Sequence, residues 1–415
     1  MINSYLIIII AIIIIHYAVD LIVDLLNISV ISEKLPVEFK EWYDNEKYSK
    51  SQRYLKETTR FGIISDSFGT IATLAFVTLG GFNLVDGWAR NIFGAEHGDI
   101  VIGLIFMAIL MVASQIISLP FSIYSTFVIE ERYGFNRTSP RTFVIDMLKG
   151  ILLTIVIGGP ILALVLGLFD KLGSLAWLWC WIAVTIIQIF LMFISPYIIM
   201  PLFNKFTPLE DGELRQTVEN YATQQNFAMQ GIFTMDGSKR SSKSNAFFTG
   251  FGKSRRIVLF DTLIEKHSVP ELLAIIAHEM GHYKRHHIQK MIFQSIAIMG
   301  LTFFLMSLCI GNQNLFDAFK MENPPTIYAA LVFFGFLYTP ISMVLGVIGS
   351  AMSRRHEYEA DAYAVETVGE SAPMIDGLKR LTVENLGNLN PHPLKVILNY
   401  SHPPVLDRIR AIKTL

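Results

Sequence analysis

Charged residues are scarce in this sequence. Of its 415 residues, 17% are charged and 52% are hydrophobic, whereas soluble globular domains carry about 25% charged residues. The formal net charge is −1, so the chain lacks the basic excess that nucleic-acid-binding domains usually show. The composition therefore predicts a protein that partners the lipid bilayer and does not bind nucleic acid.

Cysteine is also nearly absent, since the chain has only Cys180 and Cys309, both inside apolar runs. A disulfide framework needs more cysteines, and in polar loops, so we interpret these two as small buried hydrophobic residues. The N-terminal segment lacks the basic residues and the small-residue cleavage site of a signal peptide. We therefore expect it to be an uncleaved membrane span.

Long apolar runs, in contrast, are abundant. A helix needs about 20 apolar residues to cross the hydrocarbon core of a bilayer. Seven segments meet this requirement: 4–27, 62–86, 98–127, 143–169, 174–203, 291–311 and 325–351. They predict an all-α membrane protein with seven transmembrane helices, and the polar segments between and after the spans leave room for a small α+β portion outside the bilayer.

The distribution of basic residues predicts the orientation. The loops on one side of the seven spans hold thirty Lys and Arg residues, and those on the other side hold three. Basic loops stay in the cytoplasm, so the N-terminus faces outward, and the large 204–290 segment and the C-terminus face the cytoplasm. The predicted parts are spans one to five with their loops (1–203), a large cytoplasmic segment (204–290), spans six and seven (291–351) and a C-terminal cytoplasmic segment (352–415).

Several predicted spans contain ionisable groups, which are costly in lipid and usually face a cavity or a partner. These are His16, Asp20, Asp24, Asp66, Asp146 and Lys149. One interpretation is structural pairing, for example between Asp146 and Lys149 three residues further on. The other is a bundle that encloses a water-filled chamber.

The segment 268–282 has the pattern of a metal-binding helix. Ser268 and Glu271 have the spacing of a capping box and predict a helix start. On that helix His278 and His282 are four residues apart and share a face, so their imidazoles can hold one Zn²⁺. Glu279 lies beside them and can act as the general base. The alternative is a surface helix with two histidines.

Residues near the two histidines invite further interpretation. Gly281 costs about 1 kcal/mol in a helix interior, and its missing side chain would leave room beside the metal. His286 continues the four-residue series and could be a ligand. Alternatively, His286 and His287 are polar residues where the helix approaches the membrane.

A third protein ligand is needed at a zinc site of this type, and Glu357 is the candidate. Spans six and seven form a hairpin, which brings His282 and Glu357 to a similar depth beyond the same membrane face. Asp361 shares a face with Glu357 and can orient a ligand histidine from behind, whereas Glu359 points elsewhere. The alternative is an exposed charged helix.

The residues from His278 to His282 and from Glu357 to Asp361 resemble the integral-membrane CAAX prenyl proteases of the zinc type, which are seven-span gluzincins. Other segments resemble the family too, so the likeness covers nearly the whole chain: 43–52, 59–62, 130–136, 244–250 and 401–404, with Arg408.

This resemblance implies one zinc per chain, a chamber inside the bundle, and a set of three ligands and a general base: His278, His282, Glu357 and Glu279. It also implies that His402 and Arg408 lie near the substrate, where cations or donors could stabilise an oxyanion. An alternative for His402 is a residue that begins a helix before Pro403.

The stretch 231–260 predicts short strands at 231–235, 245–249 and 256–260, with turns at Gly237 and from Gly250 to Gly252. An edge strand beside a metallopeptidase helix can bind a peptide as an added strand. In that case the substrate-binding residues are Asn245, Ala246 and Phe247. The alternative is a purely structural hairpin.

These observations predict an endopeptidase for membrane-associated substrates, and the family resemblance implies C-terminally prenylated ones among them. Two alternatives remain: a membrane quality-control zinc protease, and a transporter or receptor with a non-catalytic metal site. The compact chain, with a short 312–324 loop and no dilysine-type tail, favours a bacterial or archaeal cytoplasmic membrane. In a eukaryote we expect the endoplasmic reticulum membrane.

Overall fold

The computed structural model describes residues 3–32, 34–93, 98–250 and 255–415. The chain is mostly helical. In chain order the longer helices are Ser4–Ser29, Asn45–Thr78, Gly81–Phe93, Gly98–Tyr124, Pro140–Leu153, Gly159–Leu172, Ala176–Ile194, Ile199–Phe203, Glu213–Gln224, Asp261–Lys266, Val269–Lys284, His287–Ser307, Gln313–Ala318, Ile327–Val368, Ala372–Glu384, Pro393–Asn399 and Val405–Ile412. Two helices build the site, and we call Val269–Lys284 the histidine helix and Ile327–Val368 the long helix.

Six helical segments among the described residues are long and apolar enough to cross a membrane. One of them, Pro140–Ile194, has 55 residues and as a straight helix would extend about 80 Å, well beyond the roughly 30 Å hydrocarbon core. It is interrupted at Gly173, whose φ is 53°, and the helices on either side pack against each other. If Pro140–Ile194 is counted as a hairpin of two spans, the described residues contain seven spans, which is the predicted number.

The second predicted span and the helix that contains it have different boundaries. The second span was expected to run to residue 86, but its helix ends at Thr78 because Gly80 adopts a left-handed φ of 79°. The same helix begins at Asn45, where the Asp44 side chain accepts a hydrogen bond from the Lys47 amide. It therefore projects far into the basic loop, which lacks the apolar pattern that marks a span.

Two charged groups of the predicted spans, Asp146 and Lys149, have partners from distant segments. Asp146 does not pair with Lys149. Instead, Arg240 donates two hydrogen bonds to its carboxylate at 2.7 and 2.9 Å. Lys149 donates to the Leu202 carbonyl at 2.6 Å. Structural pairing therefore occurs, but it joins the bundle to the segment outside the bilayer.

The helix Gly98–Tyr124 is accessible on opposite faces along its second half. Ser114, Ser118 and Ser122 are exposed on one face at four-residue spacing. Ile116 and Ile123, which point in other directions, are 64% and 43% exposed. One side of a membrane helix meets lipid, and a second accessible side is consistent with open space within the bundle; the water-filled chamber itself stays a prediction.

A four-stranded sheet lies in the segment outside the bilayer, in the order β1-β2-β4-β3. Its strands are β1 Phe206–Pro208, β2 Gly231–Met235, β3 Ala246–Thr249 and β4 Arg256–Phe260. β2 and β4 are parallel, and both outer strands run antiparallel to their neighbours. The last three strands confirm the predicted ones, β1 was not predicted, and the predicted turn at Gly252 lies outside the described residues.

The histidine helix packs against the long helix at very close range. A side chain at Gly281 would begin 3.1 Å from both the Cα and the carbonyl oxygen of Ala360, and 3.2 Å from Cβ of Tyr363. The expectation that Gly281 leaves room beside the metal is therefore wrong, because the backbone of the long helix occupies that side. Glycine is needed here so that the two helices can approach each other.

Candidate metal centre

Local sequence accounts for the start and the direction of the histidine helix. The predicted capping box is present: the Ser268 amide donates to the Glu271 carboxylate at 3.0 Å, and Arg380 donates to the same carboxylate. The apolar side of the helix is buried in a core through Leu272, Ala274, Ile276, Ala277 and Met280. The polar side carries the two histidines toward the long helix.

The three predicted ligand side chains converge. His278, His282 and Glu357 each offer a ligand atom, and these atoms lie within 4.8 Å of one another. Nε2 of His278 and Nε2 of His282 are 3.2 Å apart. The Glu357 oxygens lie 3.4 Å from the first of these nitrogens and 3.2 Å from the second. The long helix continues from the membrane through Glu357, which is how a residue 75 positions from His282 reaches the site.

The donor set fits a zinc ion. Oε2 of Glu357 is buried and makes no hydrogen bond within the described residues, although buried carboxylate oxygens are nearly always hydrogen-bonded. Two imidazole nitrogens and one carboxylate are a donor set that Zn²⁺ takes at catalytic sites with three protein ligands. In the part of the chain that the structure describes, Oε2 has only ion-pair contacts, with Arg408 Nη1 at 3.3 Å and His278 Nε2 at 3.4 Å, so its lone pairs are available to a cation.

Asp361 supports His278 from the side away from the ligand atoms. His278 Nδ1 lies 2.8 Å from Asp361 Oδ1, and Arg408 donates to both oxygens of that carboxylate at 2.6 and 2.8 Å. Burial lowers the pKa of His278, but contacts with Asp361 and Glu357 outweigh burial and raise that pKa to about 9. The geometry supports the predicted orienting role of Asp361.

Glu279 is half-buried beside the ligands and has no hydrogen bond or ion pair among the residues described. Burial, the largest effect on its carboxyl group, raises the pKa of Glu279, and the nearby histidines oppose this rise. A carboxylate with a raised pKa and free oxygens is suited to take up a proton and later release it.

Arg408 and His402 both reach the site but occupy different positions. Arg408 is only 9% exposed. Two of its nitrogens bind Asp361, and a third lies 3.3 Å from Glu357. Arg408 thus lies behind the carboxylates, and its expected place near the substrate stays a prediction. The His402 side chain is 64% exposed, with Nε2 3.4 Å from Glu357 Oε1, so it lines the open side of the centre.

The predicted substrate-binding residues lie on the edge of the sheet. β3 pairs with β4 through its inner side, with Ala246 opposite Leu259 and Phe247 opposite Val258, and it packs against the histidine helix. Asn245 is exposed immediately before β3. An edge strand thus runs beside the histidine helix, and its role in binding substrate stays a prediction.

Two residues behind His282 were missed in the sequence. His287, interpreted as a polar surface residue, is 1% exposed, and its Nδ1 lies 3.0 Å from His282 Nδ1. Glu359, expected to point elsewhere, lies 3.0 Å from His287 Nε2. The only sequence signal for His287 was its position directly after His286, which continues the four-residue spacing of His278 and His282.

Known proteins share this architecture. The family model for the CAAX prenyl protease N-terminal region, described as five membrane helices, matches residues 24–205. The model of peptidase family M48 matches residues 208–415. This chain belongs to peptidase family M48.

Curated relatives and a solved structure extend the likeness over the whole chain. CAAX prenyl protease 1 of Saccharomyces cerevisiae is 36% identical over 401 residues, covering 91% of this chain and 88% of the relative. Its homolog in Arabidopsis thaliana is 38% identical over 376 residues, covering 88% and 87%. The crystal structure of S. mikatae Ste24p matches with a TM-score of 0.94 at 35% identity and covers 99% of each chain.

This M48 peptidase is therefore a multi-pass integral membrane metalloendopeptidase. The predicted fold class and family are confirmed. The alternative of a transporter or receptor with a non-catalytic metal site is set aside, because the chain belongs to a peptidase family and carries the ligand set beside a free Glu279.

Proposed function

We propose that this chain is a zinc-dependent endopeptidase that binds one zinc ion and cleaves membrane-associated protein substrates near a C-terminal prenylated cysteine. The observation that carries the proposal is the convergence of His278, His282 and Glu357 within 4.8 Å, beside a free Glu279 and an edge strand. The names of the relatives, CAAX prenyl protease 1 and its homologs, support the substrate class.

Each side chain has a distinct task in this proposal. Zinc, when bound, polarises a carbonyl oxygen and lowers the pKa of water. Glu279 takes the proton of the attacking water and delivers it to the leaving amine. His402, exposed at the open side, donates a hydrogen bond to the developing oxyanion. Arg408 and Asp361 keep His278 in the orientation that presents Nε2.

The edge strand aligns the peptide. Main-chain groups of Ala246 and Phe247 pair with an extended substrate, as in other complexes formed by strand addition, and Asn245 contacts the peptide at the end of the strand. Because β3 packs on the histidine helix, a peptide added there runs past Glu279. The open space beside Ser114, Ser118 and Ser122 supports a water-filled chamber as the route for a lipid-modified substrate.

The orientation and the divisions of the chain are part of the proposal. The thirty basic residues on one side of the spans support a cytoplasmic catalytic side. The proposed parts are 1–203, 204–290, 291–351 and 352–415, with the ligands drawn from the second and fourth. The preference for a bacterial or archaeal membrane over the endoplasmic reticulum stays a prediction.

The test compares the wild-type protein with Glu279→Gln in detergent. We would measure bound zinc and the cleavage of a farnesylated CAAX peptide beside the same peptide without the lipid. We expect about one zinc per chain in both proteins and cleavage in the wild type alone, with the farnesylated peptide preferred. Glutamine keeps the shape of Glu279 but cannot accept the proton, so the variant separates chemistry from metal binding.

The outcomes distinguish the remaining alternatives. Equal cleavage of both peptides would favour a quality-control protease, which selects unfolded segments without a lipid. Cleavage by Glu279→Gln at the wild-type rate would refute the assigned general base. A wild-type protein that binds no zinc and cleaves neither peptide would refute the proposed function.

A further inference from the structure

A second histidine supports His282 from behind. His282 Nδ1 lies 3.0 Å from His287 Nδ1, and His287 Nε2 lies 3.0 Å from Glu359 Oε2. The other oxygen of Glu359 accepts a hydrogen bond from Arg355 Nε at 2.9 Å. A continuous series of contacts thus leads from His282 to an arginine at the surface.

The protonation of these groups follows from the position of the ligand atoms. Nε2 of His282 faces Glu357 and His278, at 3.2 Å from each. An imidazole that ligates through Nε2 carries its proton on Nδ1, so His282 donates to His287 Nδ1. His287 must then carry its own proton on Nε2, which donates to Glu359. Every donor meets one acceptor, and only one arrangement of protons satisfies the series.

The backbone at His286 is what brings His287 to this place. Residues five apart on a straight helix point about 140° away from each other, so His287 could not reach His282 on an unbroken helix. His286 has a left-handed φ of 59°, and the histidine helix ends just before it. A non-glycine residue in this conformation costs on the order of 1 kcal/mol and is often found at functional sites.

Packing holds the His287 ring in a fixed plane. The ring is 1% exposed and stacks on His356 with the centroids 4.0 Å apart and an interplanar angle of 11°. His356 is itself buried. His287 therefore has no access to a substrate and can act only through His282.

We propose that His287 and Glu359 are positioning residues that hold His282 in the tautomer and orientation required for a divalent metal. They serve His282 as Asp361 serves His278, with an imidazole inserted between ligand and carboxylate. Partners of this kind typically contribute 10- to 100-fold to metal affinity. The inference rests on the proposed role of His282 as a ligand.

The test measures the zinc dissociation constant of the full-length protein in detergent, by competition with a chelator after the metal is removed. We expect His287→Leu to raise this constant 10- to 100-fold. We expect His287→Asn to bind zinc nearly as tightly as the wild type, because its side-chain oxygen can take the place of Nδ1. The matched control is His286→Asn, which keeps the left-handed backbone and should bind zinc like the wild type. The KM for a cleaved peptide should not change.

A partly exposed residue provides a variant that does not disturb the core. The Glu359 side chain is 31% exposed, so Glu359→Gln should fold and melt like the wild type, yet bind zinc several-fold more weakly because it loses the charge that orients His287. Unchanged zinc binding in both His287→Leu and Glu359→Gln would overturn the inference. So would an equal loss in His287→Asn and His287→Leu, because ring volume alone would then matter.

A parallel variant, His282→Ala, separates this inference from the proposed function. If His282→Ala abolishes zinc binding while the His287 and Glu359 variants bind normally, only the positioning role fails. If His282→Ala retains the wild-type dissociation constant, the ligand set itself is wrong and both conclusions fail.

Discussion

Replacing Gly281 by alanine tests the close approach of the two helices that build the site. The new Cβ would lie 3.1 Å from the Cα and the carbonyl oxygen of Ala360, and neither is a flexible side chain that can move aside. Ala360 lies between Glu357 and Asp361 on the long helix, and Gly281 precedes His282. Any separation of the helices therefore moves the ligands apart.

The magnitude follows from two opposing effects. Alanine in place of glycine favours a helix by about 1 kcal/mol, whereas overpacking a tight contact costs typically 1–3 kcal/mol. We expect Gly281→Ala to lower the free energy of unfolding by about 0–2 kcal/mol. The effect on metal binding should be larger, because zinc sites tolerate deviations of only about 0.2 Å in ligand distance.

The assay compares thermal unfolding without metal and the zinc dissociation constant for Gly281→Ala and Gly377→Ala. Gly377 faces the other side of the same histidine helix, where a Cβ would meet Ile275 and a backbone oxygen at an ordinary 3.5–3.6 Å. The control should gain stability and bind zinc normally. A Gly281→Ala protein that is also stabilised, with unchanged zinc affinity, would refute the argument from close approach.

Three further predictions concern the site and the topology. Asp361→Asn should weaken zinc binding 10- to 100-fold, because Arg408 and His278 both lose a carboxylate partner. Chelator competition measures this, and an unchanged zinc dissociation constant would contradict the role of Asp361 in orienting His278. Contacts with Asp361 and Glu357 raise the pKa of His278 to about 9, so zinc must displace a proton from this histidine. The apparent affinity for zinc should therefore fall about tenfold for each pH unit below that value. A zinc affinity that does not change with pH would contradict this. In sealed cells an impermeant maleimide should label Gln313→Cys, whereas Lys413→Cys should react only after permeabilisation; the reverse pattern would invert the orientation.

The local part of the site could be predicted because its residues are close in sequence. His278 and His282 share a helix face at four-residue spacing, and the capping box marks where that helix begins. The pair Glu357 and Asp361 follows the same periodicity. The apolar runs likewise predict the spans, since hydrocarbon thickness sets their length whatever the tertiary contacts.

The contacts that could not be predicted join segments that are far apart in the chain. Nothing near Asp146 indicates that Arg240, 94 residues away, replaces Lys149 as its partner. The break at His286 uses a residue with no strong turn preference, so the contact between His287 and His282 could not be expected from spacing. The contact between Arg408 and Asp361, which lie 47 residues apart, could not be expected from spacing either.

The sequence by itself determined the membrane character, the orientation expected from basic loops, the histidine helix and the two candidate histidine ligands on it, because helical periodicity and hydrophobicity are local properties. Only the tertiary structure decided which face of Gly281 meets the long helix, where Arg408 is buried and what stands behind His282. Those contacts arise when two helices pack at backbone distance, and that packing depends on side chains contributed by the whole fold.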